Sequence, residues 1–206
     1  LVAIDYTLPT AVNANALLYA SSGVPFVMGT TGGDRARLAQ DLERLGGYAV
    51  VAPNMGKQIV ALQTMLARAA RDFPGSFADY RLEVTESHQA SKADPSGTGL
   101  AVVDLLRGLG VQPFRDADMV CIRDPRAARE RMGVPEDALG GHAFHTYRLI
   151  SPDGSVAIEF RHNVAGHRVY AEGSVDAAIF LAQRVREKDD KKVYSMVDVL
   201  EAGAMR

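Results

Sequence analysis

Glu86-Ser87-His88-Gln89-Ala90-Ser91-Lys92-Ala93-Asp94-Pro95-Ser96-Gly97-Thr98 is the densest run of chemically competent side chains in the 206-residue sequence. It sets an imidazole, the side chain that changes protonation nearest neutrality, four residues before an ammonium. Ser96-Gly97-Thr98 then leads into a predicted helix, whose unpaired N–H groups and positive dipole end suit an anion such as a carboxylate. Proton transfer beside a bound carboxylate is the chemistry on offer. The same residues also make an ordinary helix-start turn with His88 and Lys92 as loop residues, and spacing alone leaves both readings open.

A second constellation, Gly29-Thr30-Thr31-Gly32-Gly33-Asp34, stands where a predicted strand ends and a helix begins. In an open parallel sheet, ligands bind outside the carboxyl ends of the strands, where small residues let a cofactor approach the backbone. A plain turn with Asp34 as N-cap fits these residues as well. No Gly-x-Gly-x-x-Gly follows a strand, so the pyrophosphate fingerprint is absent from this sequence. His142, His145, His162 and His167 lie on or beside a predicted hairpin, but without cysteines or a compact ligand spacing they read as a polar sheet face, and no metal is expected. Asp5, Arg123 and Asp124 could serve catalysis, although nothing local marks them.

Positioning such groups needs a scaffold. Apolar strands are predicted over 1–4, 24–28 and 48–52, with helices over 11–21 and 34–45 between them. This alternation with short connections implies a parallel, doubly wound sheet. A long helix follows over 57–73, ended by Pro74-Gly75, then a half-buried strand over 82–85 and a helix over 100–109. Residues 111–141, rich in Pro, Gly and charge, are expected to form a long irregular connection. Alternation over 142–150 and 155–162 around Pro152-Asp153-Gly154 predicts a hairpin, and a helix over 175–188 and a short apolar segment over 196–200 close the chain.

Composition limits the function classes. With 47% apolar residues the chain can build a real core. Lys plus Arg number 23 against 25 acidic residues, so no global positive field exists to hold nucleic acid or an anionic membrane. The single cysteine, Cys121, cannot form an internal disulfide, and no apolar run approaches the roughly 20 residues a membrane helix needs.

The segment from Glu86 to Thr98 resembles the dihydrodipicolinate reductases, which carry a glutamate, a catalytic histidine, a lysine four residues on and an Asp-Pro-Ser-Gly-Thr type of turn. The wording Glu-Ser-His-Gln-Ala-Ser-Lys is most similar to the plant-type branch. Further matches run through Asp5-Tyr6-Thr7, Gly29-Thr30-Thr31-Gly32, Ala52-Pro53-Asn54-Met55-Gly56, Gly141-His142 and Tyr170-Ala171-Glu172-Gly173, so the resemblance spans nearly the whole chain. It implies hydride transfer from NADPH or NADH to a cyclic dicarboxylate, 4-hydroxy-tetrahydrodipicolinate, in the diaminopimelate route to lysine. His88 would be the proton donor and Lys92 would add positive charge. Gly29, Thr30, Thr31, Ala52, Pro53, Asn54 and Met55 would contact the cofactor, and Gln89, Ser96, Gly97 and Thr98 the substrate.

The fold implied is α/β: an incomplete Rossmann-like domain from 1–53 and 170–206, with an inserted α+β domain at 54–169 whose mixed or antiparallel sheet serves substrate binding and homo-oligomer formation. A plant-type enzyme would act in the chloroplast stroma. Two departures stand out: Gln89 replaces the second histidine of the bacterial pattern, and His167 stands where the family places an arginine. The resemblance also puts the Gly-rich phosphate loop upstream of Leu1, in a segment of about 100 residues, so a truncated and poorly active form is expected. A non-catalytic assembly module and another dehydrogenase of the same split layout remain the alternatives.

Overall fold

A computed structural model describes residues 1–203. In chain order the elements are β1 (Ala3–Asp5), α1 (Val12–Ser21), β2 (Phe26–Met28), α2 (Arg35–Leu45), β3 (Ala49–Val51), α3 (Lys57–Asp72), β4 (Arg81–His88) and α4 (Gly97–Gly108). They continue with β5 (Val120–Ile122), α5 (Pro125–Met132), β6 (His142–Ile150), β7 (Ala157–Ala165), α6 (Arg168–Glu187), β8 (Val193–Tyr194) and α7 (Met196–Glu201). Two compact units result, one from Leu1–Ala61 with the chain from Arg168 onward, the other from Leu62–His167. The bound at 206 expected for the first domain falls outside the described residues. Among those residues no helix is long and apolar enough to cross a membrane.

The first unit is an α/β layer structure on a parallel sheet of order β1-β2-β3-β8. Successive side chains of a strand point to opposite faces, and here both faces are apolar. Phe26, Met28 and Ala49 pack with Val12 and Ala16 of α1 and Leu38 and Leu42 of α2. Val27 and Val50 pack with Ala177, Phe180 and Leu181 of α6. Asp34 caps α2 by accepting the Arg37 N–H, and Gly46 ends it with φ +65°, a conformation glycine adopts without steric cost.

The second unit carries a mixed sheet of order β5-β4-β6-β7, in which only the β4–β5 pair is parallel. One face buries Leu82, Val84, Tyr147 and Leu149 against Val102, Val103 and Leu106 of α4. Asp153 and Gly154 occupy the predicted turn of the β6–β7 hairpin, and the second strand runs over Ala157–Ala165 rather than 155–162.

Several expected elements are corrected. The strand predicted over 82–85 extends through His88, because Glu86, Ser87 and His88 are polar yet buried, which interrupts the apolar alternation that marks a strand. The supposed irregular stretch 111–141 contains β5 and α5. The latter has Asp124 as N-cap and Pro125 in its first turn, but it buries only Ala128 and so shows no apolar stripe. The helices predicted from 100 and 175 begin at Gly97 and Arg168, and the two-residue β8 was too short to stand out.

Candidate functional site

The registers of the second unit place Cys121, Glu86, His145 and His162 in one row across all four strands, between β5, β4, β6 and β7. Glu86 is fully buried, His145 is 1% exposed and His88, two residues along β4 on the same face, is 7% exposed. A buried carboxylate survives only with partners. Here Arg123 Nη2 donates to Oε1 at 2.5 Å, the Ser96 backbone N–H donates to Oε2 at 3.0 Å, and the Cys121 thiol lies 3.5 Å from Oε1. His88 Nδ1 and His145 Nε2 each lie 3.5 Å from a different oxygen of the same carboxylate. Burial alone would raise the Glu86 pKa, but His145, His88, Arg123 and the Ser96 N–H together hold it well below the ordinary carboxylate range.

Behind this carboxylate the charged form of the imidazoles is disfavoured. Burial pushes His145 below its ordinary value, and burial with the neighbouring His145 and His88 pushes His162 down to about 3. The His145 and His162 rings stack at 4.5 Å, and His162 Nε2 lies 3.2 Å from the Tyr147 hydroxyl, which burial and Glu86 raise. The four candidate histidines therefore do not converge. His142 pairs with Ser87 Oγ at 2.8 Å on the opposite face of the sheet, and His167 is exposed beside Gly141. Glu86, His88 and His145 do offer three ligand atoms within 4.8 Å. A cation there would share its carboxylate with the Arg123 guanidinium, so the set reads as a charge-balanced cluster.

From His88 the chain turns toward α4. Lys92 N–H donates to the Gln89 carbonyl at 3.0 Å, and both side chains are partly buried. Ser96 caps α4: its hydroxyl accepts the Gly99 N–H at 3.2 Å while its own N–H serves Glu86. Gly97 is exposed, with nothing within 4 Å of where a β-carbon would stand, and Thr98 is partly buried beside it. A helix start open to solvent at Gly97, shortly after Lys92 in the chain, can receive a carboxylate.

In the first unit the other candidates gather at the carboxyl ends of β1, β2 and β3. Thr30 is buried and its hydroxyl donates to Asp5 Oδ1 at 3.0 Å; Gly29 is partly buried and Thr31 exposed. Ala52 and Met55 are buried, Pro53 is exposed, and Asn54 Oδ1 accepts the Gly56 N–H at 2.8 Å. Asp5 organises this edge. Its carboxylate also takes the N–H and hydroxyl of Thr7, the Asn15 amide and the Tyr19 hydroxyl. Burial would raise its pKa, but the Thr7, Asn15 and Thr30 donors bring it below the ordinary value. Small residues at Gly29 and Ala52 and a fixed hydroxyl at Thr30, all on one edge of a parallel sheet, fit a dinucleotide cofactor.

Asp5 and Arg123 are the residues whose importance the sequence hid. Asp-x-Thr at a strand end, with Thr7 folding back on Asp5, was the available signal for the first. None marked the second, whose partners lie about 30 residues away in the chain.

Comparison with known proteins identifies the family. Residues 58–200 match the family model described as "Dihydrodipicolinate reductase, C-terminus", and residues 1–55 match "Dihydrodipicolinate reductase, N-terminus". The chain is 54% identical over 207 residues to 4-hydroxy-tetrahydrodipicolinate reductase 2, chloroplastic, of Arabidopsis thaliana, covering 100% of this chain and 59% of the relative. It is 30% identical over 211 residues to the 4-hydroxy-tetrahydrodipicolinate reductase of Haloarcula marismortui, covering 98% of this chain and 76% of that protein. It thus spans about three fifths of the length of the Arabidopsis relative. Among solved structures, the dipicolinate-bound dihydrodipicolinate reductase of Paenisporosarcina sp. TG-14 superposes with a TM-score of 0.60 at 21% identity, covering 94% of this chain and 71% of the other, which establishes a shared fold. With family models matched along both segments, the chain belongs to the dihydrodipicolinate reductase family.

Proposed function

We propose that the protein is an NADPH- or NADH-dependent reductase that converts 4-hydroxy-tetrahydrodipicolinate to tetrahydrodipicolinate. The observation that carries this reading is the junction of β4 and α4, where His88 backs onto the buried Glu86 and Lys92 precedes a capped helix start. The Arabidopsis relative bears the name of this activity, and names of the Arabidopsis and rice relatives include the word chloroplastic, which supports the chloroplast stroma as the place of action. Residues 1–53 and 170–206, together with Asn54 and Met55, are assigned to the cofactor and the rest of 54–169 to the substrate.

When bound, the nicotinamide supplies the hydride. In the overall reaction the hydride and one proton enter the substrate, and water leaves it. His88 supplies the proton to the ring. With Nδ1 3.5 Å from Glu86 Oε1, its Nε2 is the atom left to donate. Lys92 and the N–H of Gly97 hold a substrate carboxylate, with Thr98 and Gln89 beside them. Ser96 shapes the site by capping α4 and tying it to Glu86. Gly29, Thr30, Thr31 and the 52–55 segment form the cofactor edge, fixed by Asp5.

Self-association is assigned to the open half of the mixed sheet, where Arg148 and Arg161 are exposed; α5 covers the other half through Phe144. Sedimentation velocity of the reductase and of an Arg148→Glu variant tests that surface. The activity itself is tested by His88→Ala. Turnover falls far more than cofactor affinity, and a variant with near wild-type turnover overturns the assignment.

A further inference from the structure

Arg123 follows β5 and is 31 residues from Lys92 in the chain, yet its guanidinium is largely withdrawn from solvent, with 18% of the side chain exposed. Its contacts are directed at one place. Nε donates to the Lys92 carbonyl at 2.7 Å, Nη2 to the Asp94 carbonyl at 3.2 Å and to Glu86 Oε1 at 2.5 Å, and Nη1 to the Ile122 carbonyl at 3.1 Å. A guanidinium has five N–H donors, so nearly all of its capacity is spent inside the protein and its charge is matched by Glu86. This is not how an arginine that grips substrate is arranged.

The segment between His88 and Ser96 needs such a holder. Among the described residues its own backbone contributes one hydrogen bond, from Lys92 N–H to the Gln89 carbonyl. A turn with so little internal bonding keeps its conformational entropy unless something outside it supplies contacts. Arg123 binds the turn at two carbonyls, one of them that of Lys92 itself. Glu86, held by the same guanidinium, binds the turn's far end through the Ser96 N–H and stands behind His88 Nδ1. One planar group thus ties together the proton donor's carboxylate, the carbonyl beneath Lys92 and, through Glu86, the start of α4.

We propose that Arg123 is a positioning residue which, with Glu86, sets the turn carrying Lys92 and the orientation of His88. The proposal rests on the roles given above to His88 and Lys92. Lysine cannot take its place, because a single ammonium cannot reach acceptors on three separate segments in the geometry that a flat fork reaches.

The test uses the full-length reductase as wild type, Arg123→Lys and Arg123→Ala. Three quantities are measured: kcat and KM, the affinity for dipicolinate as a planar dicarboxylate probe, and hydrogen exchange of the amides from 89 to 96. In Arg123→Ala, kcat/KM falls by about 100-fold, the scale of a small misplacement of catalytic groups. Dipicolinate binds more weakly, exchange over 89–96 quickens while α3 and β6 keep their protection, and added guanidinium, well below denaturing concentrations, restores part of the rate. Arg123→Lys keeps the fold, stays slow and shows the same faster exchange, and it decides the matter if the alanine variant does not fold.

Near wild-type kcat/KM with unchanged exchange overturns the proposal. So does a loss of rate that accompanies global loss of protection and is not rescued by guanidinium. Exchange over 89–96 reads the positioning without any turnover, whereas an inactive wild type or a fully active His88→Ala variant overturns the reductase reading instead.

Discussion

Gly173 of α6 lies so close to the carbonyl of Met55 that a β-carbon would stand 1.8 Å from its oxygen and 2.9 Å from its carbon. The helix and the segment after β3 approach each other at a separation that only glycine permits. Because the obstacle is backbone, neither side can swing away as a side-chain end could.

Gly173→Ala is therefore expected to lower stability by about 1–3 kcal/mol, the scale of overpacking in a close-packed region, and to displace the 52–55 segment. Gly140→Ala serves as the comparison, since nothing lies within 4 Å of its β-carbon position and its φ is not positive. It should stay within about 0.5 kcal/mol of the parent. Urea unfolding of both variants checks the contrast; equal stabilities would mean that α6 shifts freely.

The same helix carries a buried ion pair. Lys57 Nζ donates to Asp176 Oδ2, with the two side chains 6% and 5% exposed. Asp176→Ala leaves an ammonium in a low-dielectric setting and is expected to cost about 3–5 kcal/mol in a denaturant titration. Changing both, Lys57→Met with Asp176→Leu, should recover most of that loss, because the penalty lies in removing one partner of a buried pair and keeping the other. If the double variant is no better than the single one, the pair contributes through geometry that apolar side chains cannot supply.

These contacts show where sequence reading reaches and where it stops. The parallel strands were legible because Phe26–Met28 and Ala49–Val51 are apolar on both faces, and α2 because Asp34 and Gly46 bracket it. The segment from Glu86 to Thr98 stood out through its residue types and its resemblance to a family. The end of β4 did not, since a buried Glu86 and His88 look like loop residues until their partners are known. Arg123 was illegible for the same reason. Its meaning lies in Lys92 and Glu86, which only the pairing of β4 with β5 brings near.

Acid should destabilise the second unit partly through His162. Its native pKa is pushed down to about 3 from an ordinary 6.5, first by burial and then by His145 and His88, with the Tyr147 hydroxyl as its hydrogen-bond partner and Glu86 further along the row. The unfolded chain thus takes up a proton that the native state declines. Its contribution to stability is present above pH 6.5 and is lost as pH falls toward 3, with a slope of up to about 1.4 kcal/mol per pH unit for one proton. His162→Gln removes that proton, so its unfolding free energy should depend less steeply on pH across this window than the parent's. Glu86 adds a similar loss below its ordinary 4.5 in both proteins and cancels in the comparison. Parallel pH profiles would show that His162 titrates normally.

On the edge proposed for the cofactor, Tyr6 and Gly29 make a prediction that depends on coupling. A β-carbon at Gly29 would stand 2.4 Å from Tyr6 Cζ, so the ring packs against the backbone at the end of β2 while Tyr6 remains 52% exposed. Ser174 donates its hydroxyl hydrogen to the Tyr170 carbonyl at 2.7 Å, which leaves Tyr6 as the donor in its 2.6 Å bond to Ser174 Oγ. The ring is therefore held from below by the glycine and at its tip by the serine. Gly29→Ala should lift the ring, break the bond to Ser174 and weaken NADPH binding in a fluorescence titration of the full-length protein. Tyr6→Leu should weaken it as well. If both act through the placement of one ring, the double variant loses less than the sum, with a coupling of about 0.5–3 kcal/mol, as expected of residues in contact. Strict additivity would place the effect of Gly29 on the backbone that meets the cofactor and leave Tyr6 an independent contributor.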